Sequence, residues 1–182
     1  ISQIETSTLY DAMLNSMPPS NTTLPIETGL RLEGIARARQ TLLVDRASAV
    51  MGLLAPWVER SWQRCISLGH DPRKDTVFEV LTPQQMRRTT EGNAQLVQSA
   101  RPLLETLARA IANTRYFAIL TNADGVVVDA CGAIDHSDPR AEMVTRIGTD
   151  LSERSVGTTA IGAALTDLQP VWLHRGEHFF AN

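Results

Sequence analysis

Apolar positions recur at helical spacing through the first part of the chain and change to a period of two near residue 116. Between residues 32 and 68, Ala36, Leu43, Ala47, Val50, Leu54 and Trp57 fall seven, four, three, four and three positions apart, which lines one face of a 3.6-residue helix. Pro56 lies near the end of this stripe and should kink or split it, because proline lacks the N–H that an interior helical turn uses. Gly69 is the expected C-terminal stop. Residues 69–82 read as a connector with a turn at His70-Asp71-Pro72. Thr82 then offers an N-cap and Pro83 a first helical position. Met86, Ala94, Leu96, Val97, Ala100, Leu103, Leu104, Leu107 and Ile111 carry the pattern to about Asn113. Pro102 inside this run implies a kink, or a second helix that starts there.

Two β-branched, aromatic-rich runs follow, 116–121 and 126–130. Asn122-Ala123-Asp124-Gly125 separates them, and Asp-Gly in so short a link predicts a hairpin. Short helices are expected over 140–147, ending at Gly148, and over 159–165. A strand is expected over 170–174. Helices, hairpin, short helices and strand in that order describe an α+β domain with an antiparallel sheet and packed helices, preceded by a long helical N-terminal extension. The division expected is a polar tail or linker over 1–30, a helical extension and connector over 31–82, and the α+β domain itself over 83–182. A stripe like that of residues 32–68 packs on its own domain or pairs with a second copy, and a homodimer is expected here.

Composition narrows the function classes. The 182 residues carry a net charge of −3 and only 5% aromatics, with a pI near 5.8. Such an acid balance argues against direct binding of duplex DNA by this segment, which usually needs a basic face. Cys65 and Cys131 lie far apart with no CxxC partner, a usage that fits a reducing, cytoplasmic setting. No apolar run approaches the ~18–20 residues of a membrane span, and no basic-then-apolar leader opens the sequence.

Catalytic signatures are weak. His174-Arg175-Gly176-Glu177-His178 fits HxxEH, a zinc-peptidase pattern. That chemistry needs both histidines on one helical face, however, and here a glycine lies inside the motif after a strand-like segment. A zinc hydrolase using His174, Glu177 and His178 is therefore the remote reading, and His178 reads better as a pocket or loop residue hydrogen-bonded through its ring. Cys131 reads as a packed thiol, with no neighbouring cation to activate it. Asp150 and Glu153 lie in a turn before a helix, where acids often satisfy backbone N–H groups. No phosphate loop and no Ser-His-Asp order is present. The chain is not expected to be an enzyme, and no cofactor is implied.

Gly157-Thr158-Thr159-Ala160-Ile161-Gly162 offers close backbone approach and two adjacent hydroxyls at a helix start. The plainer account is N-capping by Thr158 or Thr159. From chain order, the residues expected to line a ligand pocket are Phe117, Ile119, Leu151, Val156, Thr158, Thr159, Ile161, Trp172 and His178. Apolar walls with few polar groups suit a small alcohol, ketone, aldehyde or short acid.

Several motifs in order carry a family resemblance: Ser61-Trp62-Gln63-Arg64-Cys65, Ala100-Arg101-Pro102-Leu103-Leu104, Asp124-Gly125, the segment from Gly148 to Glu153, the segment from Gly157 to Leu165, Pro170-Val171 and Glu177-His178-Phe179. Over about two-thirds of its length the chain resembles the N-terminal GAF sensor region of sigma-54-dependent transcriptional activators of the acetoin-catabolism-regulator (AcoR-like) type. The resemblance implies a GAF-like antiparallel sheet whose cavity binds a small-molecule effector. It also implies control of a downstream AAA+ ATPase and helix-turn-helix domain, and C-terminal strands of the sheet that this chain does not include. Leu151 stands where the family usually has Trp, and Thr159 where it has Asn, which departs from the acetoin pocket. A dimerisation or protein-interaction module without a small-molecule ligand is the alternative.

Overall fold

The computed structural model describes residues 25–45, 53–79, 81–174 and 176–180. Helix α1 (Pro25–Arg39) opens at a proline, a position that needs no N–H partner. The expected tail therefore ends earlier than residue 30; residues 1–24 lie outside the described part, as do Ala47 and Val50 of the apolar stripe. α1 runs into a five-residue π-helical turn, Gln40–Val44, that buries Leu42 and Leu43. Helix α2 (Pro56–Ser67) starts afresh with Pro56 in its first turn, so the proline begins a second helix. At its far end Gly69 N–H bonds Ile66 O (3.0 Å) and His70 N–H bonds Cys65 O (3.1 Å). With Gly69 at φ +85°, this is a Schellman closure.

Helix α3 (Pro83–Gly92) begins with a reciprocal capping box: Thr82 Oγ accepts from Gln85 N–H, and Gln85 Oε1 accepts from Thr82 N–H. The break that follows is at Asn93. Helix α4 (Ala94–Ile111) continues through Pro102, so no second helix starts at the proline. α4 lies against both strands of the hairpin.

Strands β1 (Phe117–Thr121) and β2 (Val127–Gly132) pair antiparallel, Phe117 opposite Gly132 and Ile119 opposite Ala130. The turn is held by Asn122 Oδ1, which accepts from the N–H groups of Asp124 (3.1 Å) and Val126 (3.0 Å). On the outer side of β2, Val127 and Gly125 exchange bonds with residues 148–151, among them Val127 N–H to Thr149 O at 2.9 Å and Leu151 N–H to Gly125 O at 2.9 Å. Helix α5 (Pro139–Thr145) is capped by Asp138. A four-residue helix α6 (Glu153–Val156), unforeseen from the pattern, precedes α7 (Ala160–Asp167), whose N-cap is Thr159.

The expected strand over 170–174 is absent from the sheet. Its backbone finds no ladder partner among the described residues. Pro170 lacks an N–H, Leu168 turns the chain away through φ +51°, and Trp172 is 55% exposed. Among the described residues the architecture is α+β with a two-stranded antiparallel sheet.

Two apolar clusters hold it. The larger joins Ala38, Leu42, Leu43, Val58, Trp62, Cys65, Phe179 and Phe180, so α1, α2 and the last described residues share one core. The smaller joins Val127, Leu151 and Val156, with Phe78, Ile119, Val144 and Ile161 packed around it. Burying each large side chain in these clusters contributes about 1.5–3 kcal/mol.

Close approach explains Gly162. A Cβ there would lie 2.8 Å from Glu153 N, so the glycine lets α7 press against α6. Helix propensity alone favours Gly162→Ala by about 1 kcal/mol. Backbone collision reverses the sign: G162A is expected to lower stability by about 1–3 kcal/mol in urea unfolding.

Candidate functional site

The connector, α5, the 151–159 segment and the end of the chain border a half-open cavity of about 490 Å³. Phe78, Met143, Val144, Leu151, Val156 and Phe180 form its apolar wall, while Asp75, Thr76, Arg140, Thr159 and His178 supply polar groups. Size and lining suit a small organic molecule.

Of the nine residues singled out from the sequence, Leu151, Val156, Thr159 and His178 line this cavity. Ile119 and Ile161 pack against the Val127–Leu151–Val156 cluster behind the wall. Phe117 is half-buried at the start of β1. Thr158 is fully buried but engages α2, and Trp172 is largely exposed. Phe78, Met143, Val144 and Phe180 were not foreseen. The last could have been read from the chain, since Phe180 follows His178 at a spacing of two.

The threonine doublet makes bonds within the protein. Thr159 Oγ1 caps α7 by accepting from Gly162 N–H (2.9 Å), and it donates to Leu151 O (2.9 Å). Thr158 belongs to a buried polar relay. Ser61 Oγ donates its one hydrogen to Glu153 Oε1 (2.5 Å), so Thr158 Oγ1, 2.6 Å away, must donate to Ser61. The Cys65 thiol lies 3.5 Å from Thr158 Oγ1. Burial pushes that thiol up to about 11, so it remains protonated.

Glu153 is 6% exposed. Its carboxylate does not face backbone N–H groups, as a turn acid would, but receives a fork from Arg64: Nε to Oε2 at 2.7 Å and Nη2 to Oε1 at 2.8 Å. Arg64 Nη1 and Arg60 also reach Asp167 at 3.2 and 2.8 Å. Glu153 lies between the cavity residues Leu151 and Val156 in sequence, and ties their segment to α2. Asp150 does act locally, its carboxylate accepting from Ser152 N–H (2.8 Å).

His178 is the cavity's imidazole. Its Nδ1 lies 3.2 Å from Thr158 O. A carbonyl only accepts, so in the neutral ring the hydrogen is on Nδ1 and Nε2 keeps a lone pair. One side of the residue faces solvent, but protein atoms crowd the ring. Desolvation lowers its pKa below 6.5, and the nearby Arg39 charge adds to this against the opposing effects of Thr158 and Glu177. The neutral form is thus favoured near pH 7.

Among the described residues of the HxxEH segment, none is helical. Glu177 Oε1 accepts from Arg31 (3.1 Å) and Oε2 from His174 N–H (2.7 Å). Among the described residues, no three His, Cys, Asp or Glu side chains gather as a metal site would require. Cys131 is half-buried with Sγ 3.7 Å from Leu104 O. A larger hollow of about 810 Å³ lies between α2 and the hairpin turn. It is the more open of the two, and its Arg64 and Glu153 already pair with each other, which favours the smaller cavity as the ligand site.

A family model for the MimR N-terminal domain matches residues 33–182. The acetoin catabolism regulatory protein of Cupriavidus necator is 30% identical over 125 residues, 68% of this chain and 19% of that protein. The acetoin dehydrogenase operon activator AcoR of Bacillus subtilis is 30% identical over 126 residues, 67% of this chain and 20% of that protein. The propane 2-monooxygenase operon activator MimR of Mycolicibacterium goodii is 30% identical over 145 residues, 79% of this chain and 23% of that protein. The chain thus spans about a fifth of the length of the curated relatives it matches. All three are named as regulators or activators. No solved structure matches the chain. Among the described residues, no helix is long and apolar enough to cross a membrane.

Two outcomes follow from the polar groups. Glu153→Gln removes the closer of the two counter-charges of Arg64, leaving Asp167 at 3.2 Å, and is expected to cost about 2–3 kcal/mol in chemical unfolding. The loss falls below the about 3–5 kcal/mol of a fully buried pair because Arg64 keeps 30% exposure. For His178, the unfolded chain binds its proton at a higher pH than the folded chain. Its contribution is therefore complete above the ordinary value of 6.5 and is lost as pH falls through that value toward the folded one. Solvent on its open side keeps the effect small. The melting temperature is expected to decline as pH drops from about 7.5 to about 5.5, with a shallower decline in His178→Asn.

Proposed function

The chain belongs to the MimR N-terminal domain family, and from that premise we propose that it is the effector-receiving, GAF-type region of a bacterial sigma-54-dependent transcriptional activator. The observation that carries this reading is the hollow between the connector, α5 and the chain end: a largely apolar wall, about 490 Å³ of room, and among its polar groups one imidazole whose Nε2 has no partner among the described residues. A small, mostly apolar oxygenated metabolite fits this chemistry, whether an alcohol, ketone, aldehyde or short acid. The wall supplies burial and His178 supplies one directional contact.

The mechanism is a population shift. The effector binds one arrangement of α5, the 148–159 segment and the chain end better than another. A difference of about 10–100-fold, or about 1.4–2.8 kcal/mol, is enough for useful switching of a downstream AAA+ ATPase. Contacts with ATP and DNA belong in this reading to other parts of the full-length activator. Pairing of two copies is its second role, supported by the exposed apolar positions Leu96, Leu103 and Leu107 on α4.

A thermal-shift series with C3–C5 alcohols, ketones, aldehydes and short acids tests the reading. At least one class is expected to raise the melting temperature, since ligand at about 100 times its Kd stabilises by about 2.7 kcal/mol. Met143→Trp, a substitution at a half-buried wall position, is expected to fill the hollow and remove the shift while the protein stays folded. If no class shifts the wild type and native mass spectrometry shows a ligand-free dimer, the pairing role alone survives.

A further inference from the structure

Arg39 is outside the cavity, yet it holds the segment that closes it. Residues 176–180 form no ladder among the described residues, so their carbonyls need other donors. Four successive carbonyls find them in side chains of α1 and α2. Arg39 Nη1 donates to Gly176 O (3.2 Å) and to His178 O, and Nη2 donates to Phe179 O (2.9 Å). Trp62 Nε1 donates to Glu177 O (2.8 Å). The Arg39 guanidinium itself sits 5.4 Å from the centre of the Trp62 ring, a cation–π contact that helps hold it in place. Ile35, one turn earlier on α1, faces Gly176, where a Cβ would lie 3.3 Å from Ile35 Cγ2. The same five residues present His178 and Phe180 to the cavity. One short segment therefore has α1 on one side and the hollow on the other.

We propose that Arg39 is the positioning residue of the cavity: it sets where His178 and Phe180 stand, and through it the filling of the cavity and the placement of α1 are coupled. This rests on the reading of the cavity as the effector site. Arginine meets the requirement because three carbonyls within four residues, those of Gly176, His178 and Phe179, call for a planar fork with several donors. Lysine carries the charge without the fork. A molecule that enters the hollow and displaces His178 or Phe180 must drag their carbonyls, and α1 follows through Arg39. By reciprocity, whatever shifts α1 alters the affinity of the cavity.

The test uses the 182-residue chain, with 2-butanol and butanone as probes, and compares wild type, Arg39→Lys and Arg39→Ala. Circular dichroism identifies the folded variants. The first readout is the NMR titration of the His178 ring, assigned with His178→Gln and independent of any probe. The charged groups facing that ring are Arg39 from α1 and Glu177 from its own segment; Asp75 of the connector and Arg140 of α5 line the same hollow. In both Arg39 variants the ring signals are expected to move. In R39A the midpoint is expected to rise toward the ordinary value. Probe affinity is expected to fall about tenfold in R39K even though the charge is kept.

A folded R39K with wild-type His178 signals and wild-type probe affinity overturns the proposal. If both variants unfold, hydrogen exchange on the wild type decides: probe binding is expected to change the protection of α1 amides 31–39, and unchanged protection overturns the coupling. If neither probe binds the wild type, the His178 signals still test positioning, so failure of the effector reading stays separate from failure of this one.

Discussion

The buried carboxylate of Glu153 is the constraint on which the rest of the structure depends. A carboxylate at 6% exposure is stable only where donors surround it, and α2 supplies them through the Arg64 fork and the Ser61 hydroxyl. α6 is four residues long and cannot persist by itself, so this brace, with Gly162 allowing α7 to close in, gives it a place. Leu151 and Val156 flank the carboxylate in the chain and become a cavity wall as a result. Fold and site are two faces of one short segment: its polar face bonds to α2, and its apolar face borders the hollow.

The chain end repeats this logic with different chemistry. Residues 176–180 have no sheet partner among the described residues, yet Phe179 and Phe180 are buried in the larger core. Their backbone carbonyls cannot remain unsatisfied there, and Arg39 and Trp62 meet the need. The price of burying this irregular segment is a specific set of side chains on α1 and α2, which accounts for the intimate contact between the N-terminal helices and the residues that line the cavity.

Much of the local structure was legible in the chain. Thr82-Pro83 with Gln85, the proline at position 56, Gly69 after an apolar run, Asp124-Gly125 between β-branched runs, and Thr159 ahead of α7 each mark an element boundary through backbone chemistry that acts within a few residues. The departures from expectation have physical causes. No second helix starts at Pro102, because one missing helical bond on an exposed helix is a local cost that the sheet contact of α4 offsets. Residues 170–174 have strand composition but no ladder partner among the described residues, and composition cannot show whether a partner exists. Of the residues expected at the pocket, Leu151, Val156, Thr159 and His178 meet at the cavity because they sit on either side of the brace. Thr158 and Trp172 do not, because the doublet divides between two environments and the 170s swing outward.

The sequence by itself determined several helix boundaries, the hairpin, the α+β class, and the kinship with transcriptional regulators. Those depend on short-range preferences and on an ordered series of motifs, both readable in one dimension. Only the tertiary structure decided that Glu153 meets Arg64 across 89 residues, that Arg39 reaches carbonyls 137 to 140 positions away, and that both acts of satisfaction frame the same hollow. A buried charge or carbonyl requires a partner by physical necessity, but the identity of that partner is settled by which surfaces the core brings together.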